Sequence, residues 1–281
     1  MTTTSASELK PRKTIFIAGA SGGVGRAILE TWRGEDVELY LSANRGAAPL
    51  REYLAAQTDS PSLRRARVLQ ADLALPNAGA KLADELLSAL QRAQNQPVPR
   101  LDAFVCAAGV DLMTDESRAL SFDDRLAKAW QIDVAAPAAI ARKLGETMRE
   151  YKRLNDASDA HAPFDPAMVF FSWDGVERGL KGDSGQIYAA CKGAVAGFAR
   201  SLAHSLAPEV RVNTIAPGWL RTTWGQTASE ESTKRYAGQS LLQRWGTGTE
   251  AARLVRFLLS DDAAFVNAQT IQLNGGYSGT R

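Results

Sequence analysis

A phenol and an ammonium stand four residues apart at Tyr188 and Lys192, in a segment (residues 186–206) whose apolar spacing reads as helical. Positions i and i+4 share one helix face, so the two groups can act on the same atom. A free tyrosine titrates at about 10, and a nearby positive charge favours the phenolate, which makes Tyr188 usable as an acid or base at moderate pH. The chemistry this pair suggests is proton transfer at an oxygen. An ordinary surface pair shows the same spacing, so its meaning depends on what the rest of the chain brings to it.

A second feature lies near the start. The apolar run Thr14-Ile15-Phe16-Ile17-Ala18 ends in Gly19-Ala20-Ser21-Gly22-Gly23-Val24-Gly25, and residues 26–32 follow with a helical pattern. Glycines at 19, 23 and 25 let the backbone turn sharply and come close to a ligand, and the N-terminus of the next helix favours a pyrophosphate. Glycines alone fit a ligand-free turn equally well, but strand before and helix after favour a dinucleotide cradle. Sites that prefer NAD place a carboxylate about 20 residues on, at the end of the second strand. Here that segment reads Leu41-Ser42-Ala43-Asn44-Arg45 and has none. Arg45 can instead face a 2′-phosphate as a charged donor, so NADP(H) is expected in preference to NAD(H); a solvated loop arginine is the other reading.

The elements that must position these groups alternate. Strands are expected at residues 37–41, 67–70, 101–105, 168–171, 210–215 and 270–273, with helices at 50–56, 81–92, 124–151, 186–206 and 250–259. Strands separated by helices imply parallel crossovers, and hence a Rossmann-like, doubly wound α/β sheet of about seven strands with helices on both faces. Its ligand crevice lies at the carboxyl ends of the strands, where every motif above falls. Residues 1–12 read as a tail and residues 13–281 as one domain. Two connections are long, residues 155–166 and 217–248, and the second follows a strand end as a lid would.

Composition narrows the partners. Apolar residues make up 45% and charged residues 23% of the 281, as in ordinary globular chains. Lys and Arg total 33 against 31 Asp and Glu, a formal net charge of +2, which leaves no electrostatic footprint for nucleic acid or an anionic membrane. No apolar stretch approaches the roughly 20 residues a membrane helix needs, and the expected location is cytoplasmic. Cys106 and Cys191 lack zinc or disulfide spacing, and His161 and His204 are the only histidines, so neither a metal site nor a Ser/His/Asp triad is expected.

Taken together, the glycine turn and Tyr188-Ala189-Ala190-Cys191-Lys192 resemble the short-chain dehydrogenase/reductase family, over residues 13–277. Further similar segments are Ala71-Asp72-Leu73, Cys106-Ala107-Ala108-Gly109, the run Arg211-Val212-Asn213-Thr214-Ile215-Ala216-Pro217-Gly218, and Leu273-Asn274-Gly275-Gly276. The resemblance implies an NAD(P)-dependent oxidoreductase moving a hydride between nicotinamide and a carbonyl or secondary alcohol. It implies that Gly19, Ser21, Gly22, Gly23, Val24 and Gly25 hold the pyrophosphate, that Asn44 and Arg45 take the adenosine ribose, and that Asp72 and Leu73 lie near adenine. Ala107, Ala108 and Gly109 would line the cofactor, and Pro217, Gly218, Leu220 and Thr222 would contact its nicotinamide end. Tyr188 would be the acid/base, with Lys192 binding the nicotinamide ribose and tuning the phenol. A homo-oligomer, tetramer or dimer, is expected through the long helix and the Tyr-bearing helix, with Ala189, Gly193, Ala196, Gly197 and Arg200 on the packing face.

Two positions depart from the family. A serine pair is usual at the end of the fifth strand, but the segment here is Phe170-Phe171-Ser172-Trp173-Asp174-Gly175, with Trp173 where the second serine belongs. Ser172, sixteen residues before Tyr188, is the best serine candidate, and the gap implies an insertion in residues 177–186. An asparagine usual in the long helix is replaced by Asp133, whose carboxylate can pair directly with Lys192. Trp173 and Asp133 keep open an alternative, a cofactor-binding sensor or structural subunit with little or no turnover. Trp219, Trp224 and Trp245, in or just after the lid, can close an apolar pocket or simply pack.

Overall fold

Apolar runs buried on both faces become one sheet in the computed structural model, which describes residues 12–157, 165–222 and 229–277. The tail up to residue 11, His161 and Trp224 lie outside those residues. In chain order the strands are β1 (Lys13–Ala18), β2 (Val37–Ala43), β3 (Arg67–Gln70), β4 (Ala103–Cys106), β5 (Ala167–Phe171), β6 (Arg211–Pro217), β7 (Leu220–Arg221), β8 (Gly246–Thr247) and β9 (Thr270–Leu273). Seven of them form a parallel sheet in the order β3-β2-β1-β4-β5-β6-β9, and β7 pairs separately with β8. The expected doubly wound sheet is present.

Ile15, Phe16, Ile17 and Ala18 are all fully buried, because helices cover both faces of a parallel sheet and leave no solvent side for polar alternation. Odd positions Ile15 and Ile17 join Ile28 and Leu29 of α1 (Gly23–Glu30) and Val255 of the helix Gly248–Leu258. Even positions Phe16, Phe104 and Phe170 join the other layer, built by α4 (Ala78–Gln94), α7 (Ala136–Ala157) and α8 (Asp183–Leu206). Three of those rings form a row across the sheet: Phe16 stacks on Phe104 at 5.5 Å, and Phe104 meets Phe170 edge-on at 5.8 Å.

Strand order reverses between β1 and β4, which opens a crevice at their carboxyl ends. Register makes those ends level, since Ala18 pairs with Ser42 of β2 and with Cys106 of β4. The glycine turn, the Arg45 turn and the loop after β4 therefore start from one line.

The structure corrects several expected boundaries. The helix expected at residues 124–151 is α6 (Phe122–Ala129), a π-helical turn (Trp130–Ala135) and α7. Pro137 supplies the reason: it has no N–H to return to the Asp133 carbonyl, and its ring crowds that carbonyl, so the helix widens there. The connection at 217–248 is not irregular throughout, because Ser229 caps a helix at Glu230–Ala237. That helix buries none of its residues and so has no apolar stripe to read. Short helices α2 (Ala47–Ala55, starting earlier than expected), α3 (Pro61–Arg65) and α5 (Asp115–Arg118) complete the layers.

Replacing Phe104 by Ala removes the central ring of the row. Chemical denaturation is expected to show a loss of about 3–5 kcal/mol, with the fold retained by circular dichroism.

Candidate active site

The turn after β1 is shaped by glycine at the two places where nothing else fits. Gly19 has φ +81°, and a Cβ there would come within 2.6 Å of the Ala108 backbone. A Cβ at Gly25 would lie 2.2 Å from the Gly19 carbonyl. Gly22 is different, since a Cβ there would meet only the Gly19 oxygen at 3.5 Å, so the backbone faces open space. No side chain caps α1, leaving its first-turn N–H groups for an anion. Thr222, directly after β7, closes this turn from the other side, its Cβ 3.1 Å from where a Cβ on Gly23 would be. This open, anion-favouring cradle fits the pyrophosphate of a dinucleotide.

Around it stand the other expected cofactor residues. The Asn44 carbonyl accepts the Ala47 N–H and turns the chain into α2. Gly46 packs against the cradle, for a Cβ on it would meet Ser21 Oγ at 2.6 Å. Asp72 holds the Ala74 N–H at 3.0 Å, and Leu73 is buried beneath it. Ala107 donates its N–H to Ala18, which fixes the loop Ala107 to Gly109 beside the cradle. Pro217 and Gly218 are tied to Asp174 and Leu273 by backbone bonds, and Leu220 is buried. Arg45 is exposed, and its guanidinium bonds both oxygens of Glu116 on α5, at 3.1 and 3.3 Å. Sequence reading missed Glu116, 71 positions away, because no local pattern links it to Arg45.

Lys192 and Asp133 form the centre. Their side chains are 6% and 0% exposed, with Nζ 2.9 Å from Oδ2, while Oδ1 accepts the Val110 N–H at 2.7 Å. The π-helical turn supplies Asp133, α8 supplies Lys192, and Gly109 lies over both: a Cβ there would be 3.4 Å from Nζ and 3.6 Å from Oδ1. Burial opposes the charge on Lys192, but the Asp133 carboxylate outweighs it and holds the ammonium above the ordinary lysine range. Tyr188, partly exposed, has its ring centroid 5.3 Å from Nζ. Its phenol was expected to be lowered by the lysine. The direction is upward instead: burial dominates, Lys192 opposes it, and the Asp133 charge adds to the rise.

Beyond Tyr188 lies the departure at the end of β5. Ser172 is buried and its hydroxyl donates to the Lys192 carbonyl at 2.8 Å, so it ties strand to helix. Trp173 presents its ring edge-on to Tyr188, centroids 5.6 Å apart, and folds over Gly175, where a Cβ would lie 2.2 Å from the indole. Asp174, also missed, is buried and accepts from Arg178 at 2.8 Å and from Asn274 at 3.1 Å. Its place three residues after β5 was the only available signal. Trp219 and Trp245 pack rather than gape: Trp219 stacks on Tyr236 at 3.8 Å and lies 5.7 Å from Trp245, whose Nε1 donates to Thr233. The cluster anchors the helix Glu230–Ala237, and beside it a cavity of about 130 Å³ runs from Trp219 to Leu273.

The chain is similar to known proteins over nearly its whole length. A family model described as enoyl-(acyl carrier protein) reductase matches residues 19–278. The oxidoreductase YmfI of Bacillus subtilis (strain 168), described as uncharacterized, is 30% identical across 94% of this chain and 98% of its own length. The 3-oxoacyl-(acyl-carrier-protein) reductase FabG of Escherichia coli (strain K12) is 27% identical across 94% and 96%. Among solved structures, ElxO with NADP bound superposes with a TM-score of 0.77 at 18% identity, covering 95% of this chain and 99% of that one. A variant of actinorhodin polyketide ketoreductase with NADPH gives 0.76 at 20% identity, covering 96% and 99%. The chain belongs to the short-chain dehydrogenase/reductase family of oxidoreductases. Its sheet is the Rossmann-like sheet of those neighbours.

Asp133→Ala leaves a buried ammonium without its counter-charge and is expected to cost about 3–5 kcal/mol in urea denaturation. Asp133→Asn keeps an acceptor for the Val110 N–H and is expected to cost less than the alanine variant.

Proposed function

We propose that this protein is an NADP(H)-dependent oxidoreductase that interconverts a small carbonyl compound and its secondary alcohol, with Tyr188 as the proton donor and acceptor. One observation carries the reading: the loop after β4 touches both halves of the site. Ala108 packs on Gly19 of the cradle while Gly109 lies against Lys192 and Asp133, so a dinucleotide along the cradle ends beside Tyr188. The relatives named as 3-oxoacyl-(acyl-carrier-protein) and polyketide ketoreductases support reduction of an oxo group as the chemistry.

Bound there, the reduced nicotinamide supplies the hydride. Tyr188 gives its phenolic proton to the carbonyl oxygen, and the phenolate left behind faces the Lys192 ammonium. Lys192 is the group placed to hold the ribose hydroxyls, and its charge is fixed by Asp133. Ser172 is the serine nearest the site, but its proton is committed to the Lys192 carbonyl, so Tyr188 carries the donation. Arg45, in the turn whose Gly46 packs on Ser21 of the cradle, would meet the 2′-phosphate and favour NADP(H) over NAD(H). The reading includes a cytoplasmic homo-oligomer, dimer or tetramer, joined through α8; Gly197 is exposed there, and a Cβ on it would meet nothing within 4 Å.

The alternative, a cofactor-binding protein without turnover, is favoured by Trp173, whose ring takes up space beside Tyr188 where a carbonyl would stand. Calorimetry with NADPH and a turnover assay over ketones, quinones and keto esters separate the two. Under the enzyme reading Tyr188→Phe lowers kcat by about 10²–10⁴ while NADPH affinity stays within about threefold. NADPH binding without turnover in the wild type would instead establish the sensor.

A pH profile gives a second check. Because the phenol sits above its ordinary value it is protonated throughout neutral pH, so carbonyl reduction is expected to be flat there and to fall only in the alkaline range. Alcohol oxidation needs the phenolate and rises over that same range. Asp133→Asn removes a negative charge that holds the phenol up, and is expected to move the alkaline limb to lower pH.

A further inference from the structure

Arg45 and Glu116 come from opposite walls of the crevice. Arg45 follows β2 in the turn that packs on Ser21 of the cradle, and Glu116 lies on α5, which follows β4. Both sides are braced. The Asn44 carbonyl holds the Ala47 N–H behind Arg45, Thr114 caps α5, and the Ser117 hydroxyl donates to the Asp111 carbonyl. The contact is two-pronged, Nη1 to Oε2 at 3.1 Å and Nη2 to Oε1 at 3.3 Å. A guanidinium fork receives a carboxylate and a phosphate with the same geometry, so one Arg45 cannot serve both fully. Glu116 also has somewhere to go, since Lys128 Nζ lies 3.7 Å from Oε1. The other charge that acts on Arg45 is Asp72.

We propose that Glu116 is an internal competitor for the 2′-phosphate at Arg45, so that the charge at position 116 sets how strongly NADPH is preferred over NADH. The inference rests on the dinucleotide reading of the cradle. NADPH must exchange the Glu116 carboxylate for its own phosphate, and Glu116 then keeps Lys128 as its partner. NADH carries a neutral 2′-hydroxyl in place of the phosphate, which does not compete with a carboxylate for the guanidinium fork, so it binds with the ion pair intact and is indifferent to the exchange. Glu116 is thus a specificity residue that touches the cofactor's partner and not the reacting atoms.

The test is calorimetric titration of NADPH and NADH into the full-length wild type, Glu116→Gln, Arg45→Ala, the double variant, and Asp115→Asn as a neighbouring charge control on the same helix. In Glu116→Gln, NADPH is expected to bind about three- to fivefold tighter while NADH changes by less than about 1.5-fold, as suits an exposed ion pair. Asp115→Asn should leave the NADPH to NADH ratio unchanged, and the Glu116→Gln gain should vanish in the Arg45→Ala background. An unchanged ratio in Glu116→Gln, an equal gain for both nucleotides, or a gain that survives without Arg45 would overturn the competitor while leaving the cradle standing. Failure of either nucleotide to bind the wild type would overturn the cradle reading and this inference with it.

Discussion

The site depends on a lysine ammonium taken almost wholly out of water. Lys192 has 6% of its side chain exposed, and an ion so placed persists only with a counter-charge at contact distance. Asp133 provides it, and several local features follow from that need. The helix widens into a π-turn where Pro137 withholds its N–H, the Asp133 carboxylate reaches Lys192 with one oxygen and the Val110 backbone with the other, and Gly109 leaves room above the pair. Ser172 then fastens the carbonyl of the same lysine to the end of β5. One ion pair in this way joins the loop after β4, the long helix, the Tyr-bearing helix and the central sheet.

That pairing also sets the electrostatics of the phenol. A lysine alone beside Tyr188 would stabilise the phenolate, but a lysine whose charge is matched by a buried carboxylate leaves burial in command, and the phenol stays protonated. Trp173 constrains the same ring sterically, packing edge-to-face with Tyr188.

The turn after β2 is governed by a different balance, between exposed charges. Arg45 and Glu116 are 82% and 59% exposed, so their attraction is screened and easily exchanged. Charge is buried at Lys192 and Asp133 and exposed at Arg45 and Glu116, so only the second pair is open to screening and exchange. Along the chain between β6 and the helix Gly248–Leu258, Thr222 lies against the cradle and an aromatic cluster of Trp219, Tyr236 and Trp245 holds the helix Glu230–Ala237.

Much of this was legible in the sequence. A fully apolar strand followed by Gly19, Gly23 and Gly25 defines the cradle, because backbone sterics at a strand-to-helix turn are local. The alternation of strands and helices gave the parallel sheet, since its pattern follows from burial on both faces. Tyr188 and Lys192 share a face by their i, i+4 spacing and took their meaning from the resemblance to the family, against whose pattern Trp173 and Asp133 stood out as replacements. Tertiary structure decided the rest. Whether Asp133 reaches Lys192, where Ser172 spends its proton, which way the phenol shifts and what occupies Arg45 all depend on distances between segments far apart in the chain. The helix Glu230–Ala237 escaped for a related reason: with no buried face its residues carry no period, and it is held in place by aromatic contacts that only the folded chain brings together.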